Sequence, residues 1–385
     1  MWLNPIVARR KTYKLPASTR GGSGFIYWIL ALLLLAGLVW VWWHTGRTPP
    51  SKKVPAPQPS KMATPPPVQK PVQQSPPVVV RQQIPVPPPV TPPVVAPGKF
   101  PRPPQNTFEA QLALTRLGIS SGSLDGVAGS QTRAALLAFQ QREHLPLTGS
   151  LDADTRSRLP LETPAVTSYT VTSNDLARLQ PIATTWLGKS QQNALDYETV
   201  LELVAEKSHA HPGYIRTLNP GVNWSNIVAG TELRVPDAAY PEPPQKAAFI
   251  RISLAGKSLE AFGAQSNLLA HFPCSIAQRV EKRPVGELHV AAIAPNPDYT
   301  FNPEVFPESA EARAIGHKLM IQPGPNNPVG VAWISLDRPG YGMHGTPNPE
   351  QVGRTESHGC FRLANWNAEY LIKLVSIGTP VLVEP

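Results

Sequence analysis

Apolar and polar positions change rhythm several times along the chain. Phe25 to Trp43 is an uncharged apolar run of nineteen residues, long enough to cross a bilayer core of ~30 Å as a helix. Tyr27 and Trp28 flank one end and Trp40, Trp42 and Trp43 the other, as interfacial aromatics do. No small-residue cleavage site follows at His44 to Thr48, so the run reads as a retained anchor, not a signal peptide. From residue 106 the apolar positions take helical spacing. Phe108, Leu112 and Leu117 predict one helix, and Ser130 caps a second through Ala134, Leu137 and Phe139. Asp152 and Thr155 start a third that ends at Leu159. Beyond residue 246 the alternation Phe249-Ile250-Arg251-Ile252 and regular Pro/Gly punctuation predict a β-rich domain. Gly330 to Ser335 and Pro380 to Val383 read as further strands. A helix runs from Trp366 through Leu371 to Val375, with Asn365 as its cap.

Composition changes this picture in the first hundred residues. The chain has 385 residues and 47 prolines, 23 of them before residue 105. The stretch 44–105 is too poor in apolar side chains to fold. Its runs Pro65-Pro66-Pro67 and Pro87-Pro88-Pro89 favour polyproline II, a spacer reaching on the order of 150 Å, and a PxxP docking site is the competing use. Net charge is +9, yet the first acidic residue is Glu109, so the basic excess belongs to the N-terminal region. The rest is slightly acidic, which argues against a nucleic-acid partner. Arg9, Arg10, Lys11, Lys14 and Arg20 place the segment 1–24 on the cytoplasmic side. The expectation is a single-pass inner-membrane protein, N-terminus inside, with its folded part periplasmic. Two cysteines exclude a disulfide scaffold. Cys274 lies in the apolar run Leu268 to Ile276 and reads as a buried strand residue.

The chemistry concentrates between Gly342 and Asn365, GMHGTPNPEQVGRTESHGCFRLAN. Cys360 has His358 two residues before it and His344 sixteen before it. A free thiol has a pKa of ~8.5 and needs a base or a positive charge to act as a nucleophile. Either histidine can serve. Gly359 precedes the cysteine, so the Gly359 and Cys360 amides are candidate oxyanion donors. No phosphate-binding loop or metal motif is present, so no cofactor and no metal are expected.

His344-Gly345-Thr346 followed by Ser357-His358-Gly359-Cys360-Phe361-Arg362 closely resembles the double motif of L,D-transpeptidases with a YkuD-type catalytic domain. Pro284-Val285-Gly286, Asn327-Pro328-Val329-Gly330 and Ile377-Gly378-Thr379-Pro380-Val381 extend the likeness over 246–385, although the His344-to-Ser357 gap is slightly short. The resemblance implies a mainly-β domain that performs acyl transfer through a Cys360 thioester on stem tetrapeptides, giving 3→3 cross-links in peptidoglycan. It implies His344 as base, oriented by a carbonyl such as that of Gly345. His358 would shape the loop or bind substrate, the two histidines being interchangeable at this level. Ser357 and Arg362 would hold the loop and the site's charge. It also implies acylation by carbapenem-class β-lactams.

Two smaller resemblances precede it. Asp125-Gly126, Gly129, Thr132, Ala135, Phe139-Gln140, Gly149 and Thr155 make 106–162 similar to the small three-helix peptidoglycan-binding domain. Tyr169-Thr170-Val171, Leu218-Asn219-Pro220-Gly221 and Gly230 to Pro236 make 166–237 similar to a LysM-like α+β module with an extra segment around Trp186 to Tyr197. Peptidoglycan glycan strands would be their partner. Three readings stay open: a cross-linking transpeptidase; the same site working as an L,D-carboxypeptidase or attaching a protein to the wall; and a non-catalytic membrane-to-wall tether.

Overall fold

In a computed structural model the described residues are 99–355, 357 and 359–385. The expected transmembrane helix 25–43, the basic segment 1–24, nearly all of the proline-rich stretch and His358 lie outside them. Among the described residues no helix is long and apolar enough to cross a membrane.

The helical domain is built from α1 (Thr107–Thr115), α2 (Ser130–Arg142) and α3 (Ala153–Arg158). Asp152 starts α3 by accepting from the Thr155 amide at 2.8 Å. Ser130 does not cap α2: Gly129 holds the cap position and offers no side chain. Leu112, Leu114, Phe139 and Leu159 form the buried centre. Two buried glutamines stitch the loops to it. Gln111 donates to Asp125 and Thr132 and accepts from the Gly126 amide. Gln140 donates to Thr148 and Thr155 and accepts from the Gly149 amide. The motif positions of this domain are thus engaged in holding its own fold.

The second segment pairs β1 (Val166–Thr170) with β2 (Glu232–Pro236), antiparallel. Between them run α4 (Ser173–Ala177), α5 (Trp186–Ser190), α6 (Val200–Lys207) and α7 (Pro212–Leu218). Thr172 and Asp175 form a reciprocal capping box on α4. Leu203, Val204, Ile215 and Leu233 share one apolar cluster with Leu112 and Phe139, so the first two segments bury a common core.

The third segment is an eight-stranded mixed sheet: β3 (Phe249–Ser253), β4 (Ser258–Phe262), β5 (Leu268–Pro273), β6 (Gly286–Pro295), β9 (Ala332–Leu336), β10 (Gly342–His344), β11 (Phe361–Arg362) and β12 (Pro380–Glu384). Their spatial order is β11-β10-β9-β6-β12-β3-β4-β5. Helix α9 (Asn365–Leu374) covers one face through Ala368, Leu371 and Leu374. Both edges are protected, as exposed edges invite aggregation. Beyond β5 the chain returns to bridge Ser275 with Arg362 and Ala277 with Ser357. The β5 edge meets the helical domain: the Ser120 amide donates to the His271 carbonyl at 2.8 Å, and the His271 amide to the Gly118 carbonyl at 3.1 Å. Gly118 has φ of +80° and a Cβ there would lie 2.7 Å from the Leu269 carbonyl oxygen, so no side chain fits.

An excursion between β6 and β9 makes a flap of β7 (Tyr299–Phe301), α8 (Ala310–Ile315) and β8 (Leu319–Ile321), with β7 and β8 antiparallel. Leu195, Phe301, Ala312, Leu319 and Ile321 form its apolar centre. The residues 178–198 of the second segment close over it, and the Leu195 amide donates to the Pro323 carbonyl at 2.8 Å. The extra length around Trp186 therefore serves the third segment.

Candidate active site

Cys360 and His344 come together through the only parallel contact at this end of the described sheet. β10 and β11 run in register Met343 to Phe361 and His344 to Arg362. Cys360, just before β11, therefore lies beside Gly342. Side chains two apart share a face of a strand, so continuing this register sets Cys360 diagonally across from His344. Cys360 Sγ is 3.6 Å from the Gly340 carbonyl oxygen. Burial pushes the thiol up to about 11, and a backbone hydrogen bond at Gly342 offsets only part of that.

His344 is buried at 8% exposure. Its Nδ1 is 2.6 Å from the Gly345 carbonyl oxygen. A carbonyl only accepts, so Nδ1 carries the proton and Nε2 keeps its lone pair. The ring stacks on Trp333, its register partner on β9, with centroids 5.5 Å apart. Burial pulls the imidazole down to about 4. Burial thus favours the neutral form of both the thiol and the imidazole.

Behind the histidine sits Asn365, which sequence alone offers as a helix cap. The cap position is Ala364, and the Asn365 side chain turns inward instead. Its Oδ1 accepts from the Thr346 amide at 2.9 Å and the Val331 amide at 3.3 Å. Its Nδ2 donates to Glu206 Oε1 at 2.9 Å and the Pro325 carbonyl at 3.1 Å. Gly330 and Gly345 press so close on Oδ1 that a Cβ at either would overlap it.

The cysteine loop is held from its other side. Ser357 Oγ donates to the Cys360 carbonyl and accepts from the Gly359 amide at 3.3 Å. Arg362 donates to the Thr355 carbonyl at 3.0 Å and to Ser275 Oγ at 3.3 Å, which ties loop to sheet. Burial, and to a lesser degree the neighbouring Cys360, push the hydroxyl of Tyr299 on β7 up to about 12. Sequence reading missed Tyr299; the alternation Tyr299-Thr300-Phe301 is the signal that could have found it. His271 and His289 pair with Glu260 and Asp337, and His211 accepts from the Gly213 amide. Among the described residues no group of His, Cys, Asp and Glu could hold a metal ion. Cys274 and Cys360 are both free thiols.

Residues 247–383 match the family of L,D-transpeptidase catalytic domains. The chain carries an L,D-transpeptidase catalytic domain. Residues 104–159 match the family of peptidoglycan binding domains, giving the enzyme a helical domain of that type ahead of its mainly-β transpeptidase domain. The chain is 27% identical over 168 residues to the L,D-transpeptidase YkuD of Bacillus licheniformis, covering 43% of this chain and 82% of that one. It is 30% identical over 167 residues to the L,D-transpeptidase YbiS of Escherichia coli, covering 42% of this chain and 53% of that one. A crystal structure of an L,D-transpeptidase from Xylanimonas cellulosilytica aligns with 76% of this chain and 100% of its own, at 14% identity and a TM-score of 0.32; at that score the likeness bears on neither fold nor chemistry.

Proposed function

We propose that the enzyme forms 3→3 cross-links in peptidoglycan by acyl transfer through a thioester on Cys360. What carries the reading is the diagonal pairing of Cys360 with a histidine whose Nδ1–H is committed to the Gly345 carbonyl. Such a histidine has only Nε2 to offer, the arrangement a general base needs. Sulfur attacks the carbonyl joining the third stem residue to D-Ala, while Nε2 takes the thiol proton. The C–N bond breaks and the imidazolium returns that proton to the departing D-Ala amine. An amine from a second stem then attacks the thioester, Nε2 accepts its proton, and the thiol is reformed. The Gly359 and Cys360 amides are the candidate donors to the oxyanion in both steps. His358 shapes the loop or contacts substrate, and carbapenem-class β-lactams acylate the same sulfur.

The same proposal places the chain in the inner membrane through residues 25–43, with the folded part periplasmic and the proline stretch as spacer. The segment 166–237 is read as a LysM-like module, on the strength of two antiparallel strands enclosing helices. Glycan strands are the ligand offered to it and to the helical domain.

The deciding experiment incubates the full-length chain, wild type and Cys360→Ala, with disaccharide tetrapeptide and separates products by liquid chromatography with mass spectrometry. Dimer lacking one D-Ala, absent from Cys360→Ala, is expected. Tripeptide monomer alone turns the reading to an L,D-carboxypeptidase. Unchanged tetrapeptide from folded wild type leaves the tether reading in its place.

A further inference from the structure

We propose that Glu206, on α6 of the second segment, is a positioning residue for the reaction at Cys360, acting through Asn365 on the turn that holds His344. The inference rests on the acyl-transfer reading above. Its basis is a continuous set of hydrogen bonds that crosses from one segment to the other. Glu206 Oε1 accepts from Asn365 Nδ2 at 2.9 Å. Asn365 Oδ1 accepts from the Thr346 amide at 2.9 Å. Thr346 follows Gly345, whose carbonyl fixes the His344 tautomer.

Asn365 is 1% exposed and all four of its amide bonding sites are used. One of those four partners comes from outside the transpeptidase domain, and it is Glu206. Without it a buried N–H is left unpaired, and the amide gains a reason to rotate away from Thr346. Gly330 and Gly345 pack against Oδ1 so closely that a Cβ at either would overlap it, so displacement of the amide acts on the histidine turn itself.

The chemistry of Glu206 suits a neutral acceptor. Burial is the main cause that raises its carboxyl, to about 8, and Glu202, Glu369 and Glu350 raise it further, against the opposing bond from Asn365. Near neutral pH it is largely uncharged, so the site avoids the cost of a buried anion. A space of about 1030 Å³ opens on one side of it, lined also by Tyr197, Asn296, Trp366 and Glu369. Glu202, one turn earlier on α6, accepts instead from Asn326 Nδ2 at 2.6 Å and from the Glu198 amide at 2.8 Å. It is an interface residue of comparable chemistry and supplies the control.

The test measures kcat and KM on tetrapeptide, the rate of carbapenem acylation by intact mass, and the thermal midpoint, all on the full-length chain. Glu206→Ala and Glu206→Asp, the latter too short to reach Asn365, should lose about tenfold or more in kcat and acylation rate with KM changed less than about twofold. Glu206→Gln, which keeps a neutral acceptor in place, should recover at least about half of the wild-type rate. Glu202→Ala should keep the wild-type kcat. Full kcat in folded Glu206→Asp overturns the inference, as does Glu206→Gln falling as far as the alanine variant. Should Glu206→Ala fail to fold, the aspartate variant carries the test alone. A wild type that neither turns over substrate nor takes an adduct refutes the acyl-transfer reading and this inference with it.

Discussion

Trp186 stacks on Phe301 with ring centroids 4.4 Å apart and planes 19° from parallel. The two residues belong to different segments: Trp186 begins α5, while Phe301 ends the strand that carries Tyr299 toward Cys360. Trp186 also packs on Phe306 at 5.6 Å, and its amide donates to Glu311 Oε1 at 2.6 Å. The flap that carries Tyr299 is thereby fastened to a segment outside the transpeptidase domain. We predict that Trp186→Ala costs ~2–3 kcal/mol of stability, part of the usual penalty because the ring is only half-buried. Labelling of Cys360 by a bulky maleimide should speed up at the same time. Denaturant titration and mass-resolved labelling check both, and an unchanged labelling rate would show that the flap does not govern access.

The resting state of Cys360 is open to direct measurement. A thiol pushed up to about 11 by burial has little thiolate at neutral pH. Iodoacetamide alkylation of Cys360 should therefore keep rising with pH through 9 and beyond, without a plateau near 7. Cys274, fully buried, should stay unmodified in the native chain. A plateau near neutrality would mean that a thiolate–imidazolium pair already exists at rest.

Glu206 should leave a mark on stability against pH. Its carboxyl stands at 4.5 when unperturbed and about 8 in the fold. A raised acid binds its proton more tightly folded than unfolded. Its contribution is therefore complete below about pH 4.5 and disappears as pH rises through about 8. Glu206→Gln cannot ionise, so its stability relative to wild type should grow by about 2–4 kcal/mol between pH 5 and 9. Parallel curves for the two proteins in urea at pH 5, 7 and 9 would show that the carboxyl is not held neutral.

Gly345 is placed where a methyl group would overlap Asn365 Oδ1, with Gly330 Cα 3.3 Å away on the same side. Gly345→Ala must displace the asparagine or the histidine turn. The expected outcome is a loss of about 1–3 kcal/mol in stability and a fall of about tenfold or more in acylation by a carbapenem. Retention of both would mean that the turn relaxes without disturbing His344.

Local patterns in the chain were enough for some of this and not for the rest. The three helices of the first domain, the strand at Phe249 and the helix before the last strand follow from periodicity and turn residues, which act within a few positions of each other. The errors are of one kind. Ser130 and Asn365 are both good cap residues, and neither caps: Gly129 takes the first cap position, and Asn365 is claimed by Thr346, Val331, Glu206 and Pro325. A cap is a local preference of about 1 kcal/mol, and a set of buried partners outweighs it. Tyr299 escaped notice, and the segment at Trp186 showed only as extra length, because each matters only through what lies opposite it.

By itself, the sequence determined the fold class of the helical domain and of the mainly-β transpeptidase domain, and the motif around Cys360, because hydrophobic spacing and short glycine-rich motifs are encoded among near neighbours. Only the tertiary structure decided that the first two segments share one core, that the extra length around Trp186 fastens a flap, and that a glutamate 138 residues before His344 supports its turn. These are contacts between residues far apart in the chain. Their energy depends on which groups burial brings together and leaves without water, and no local pattern records that.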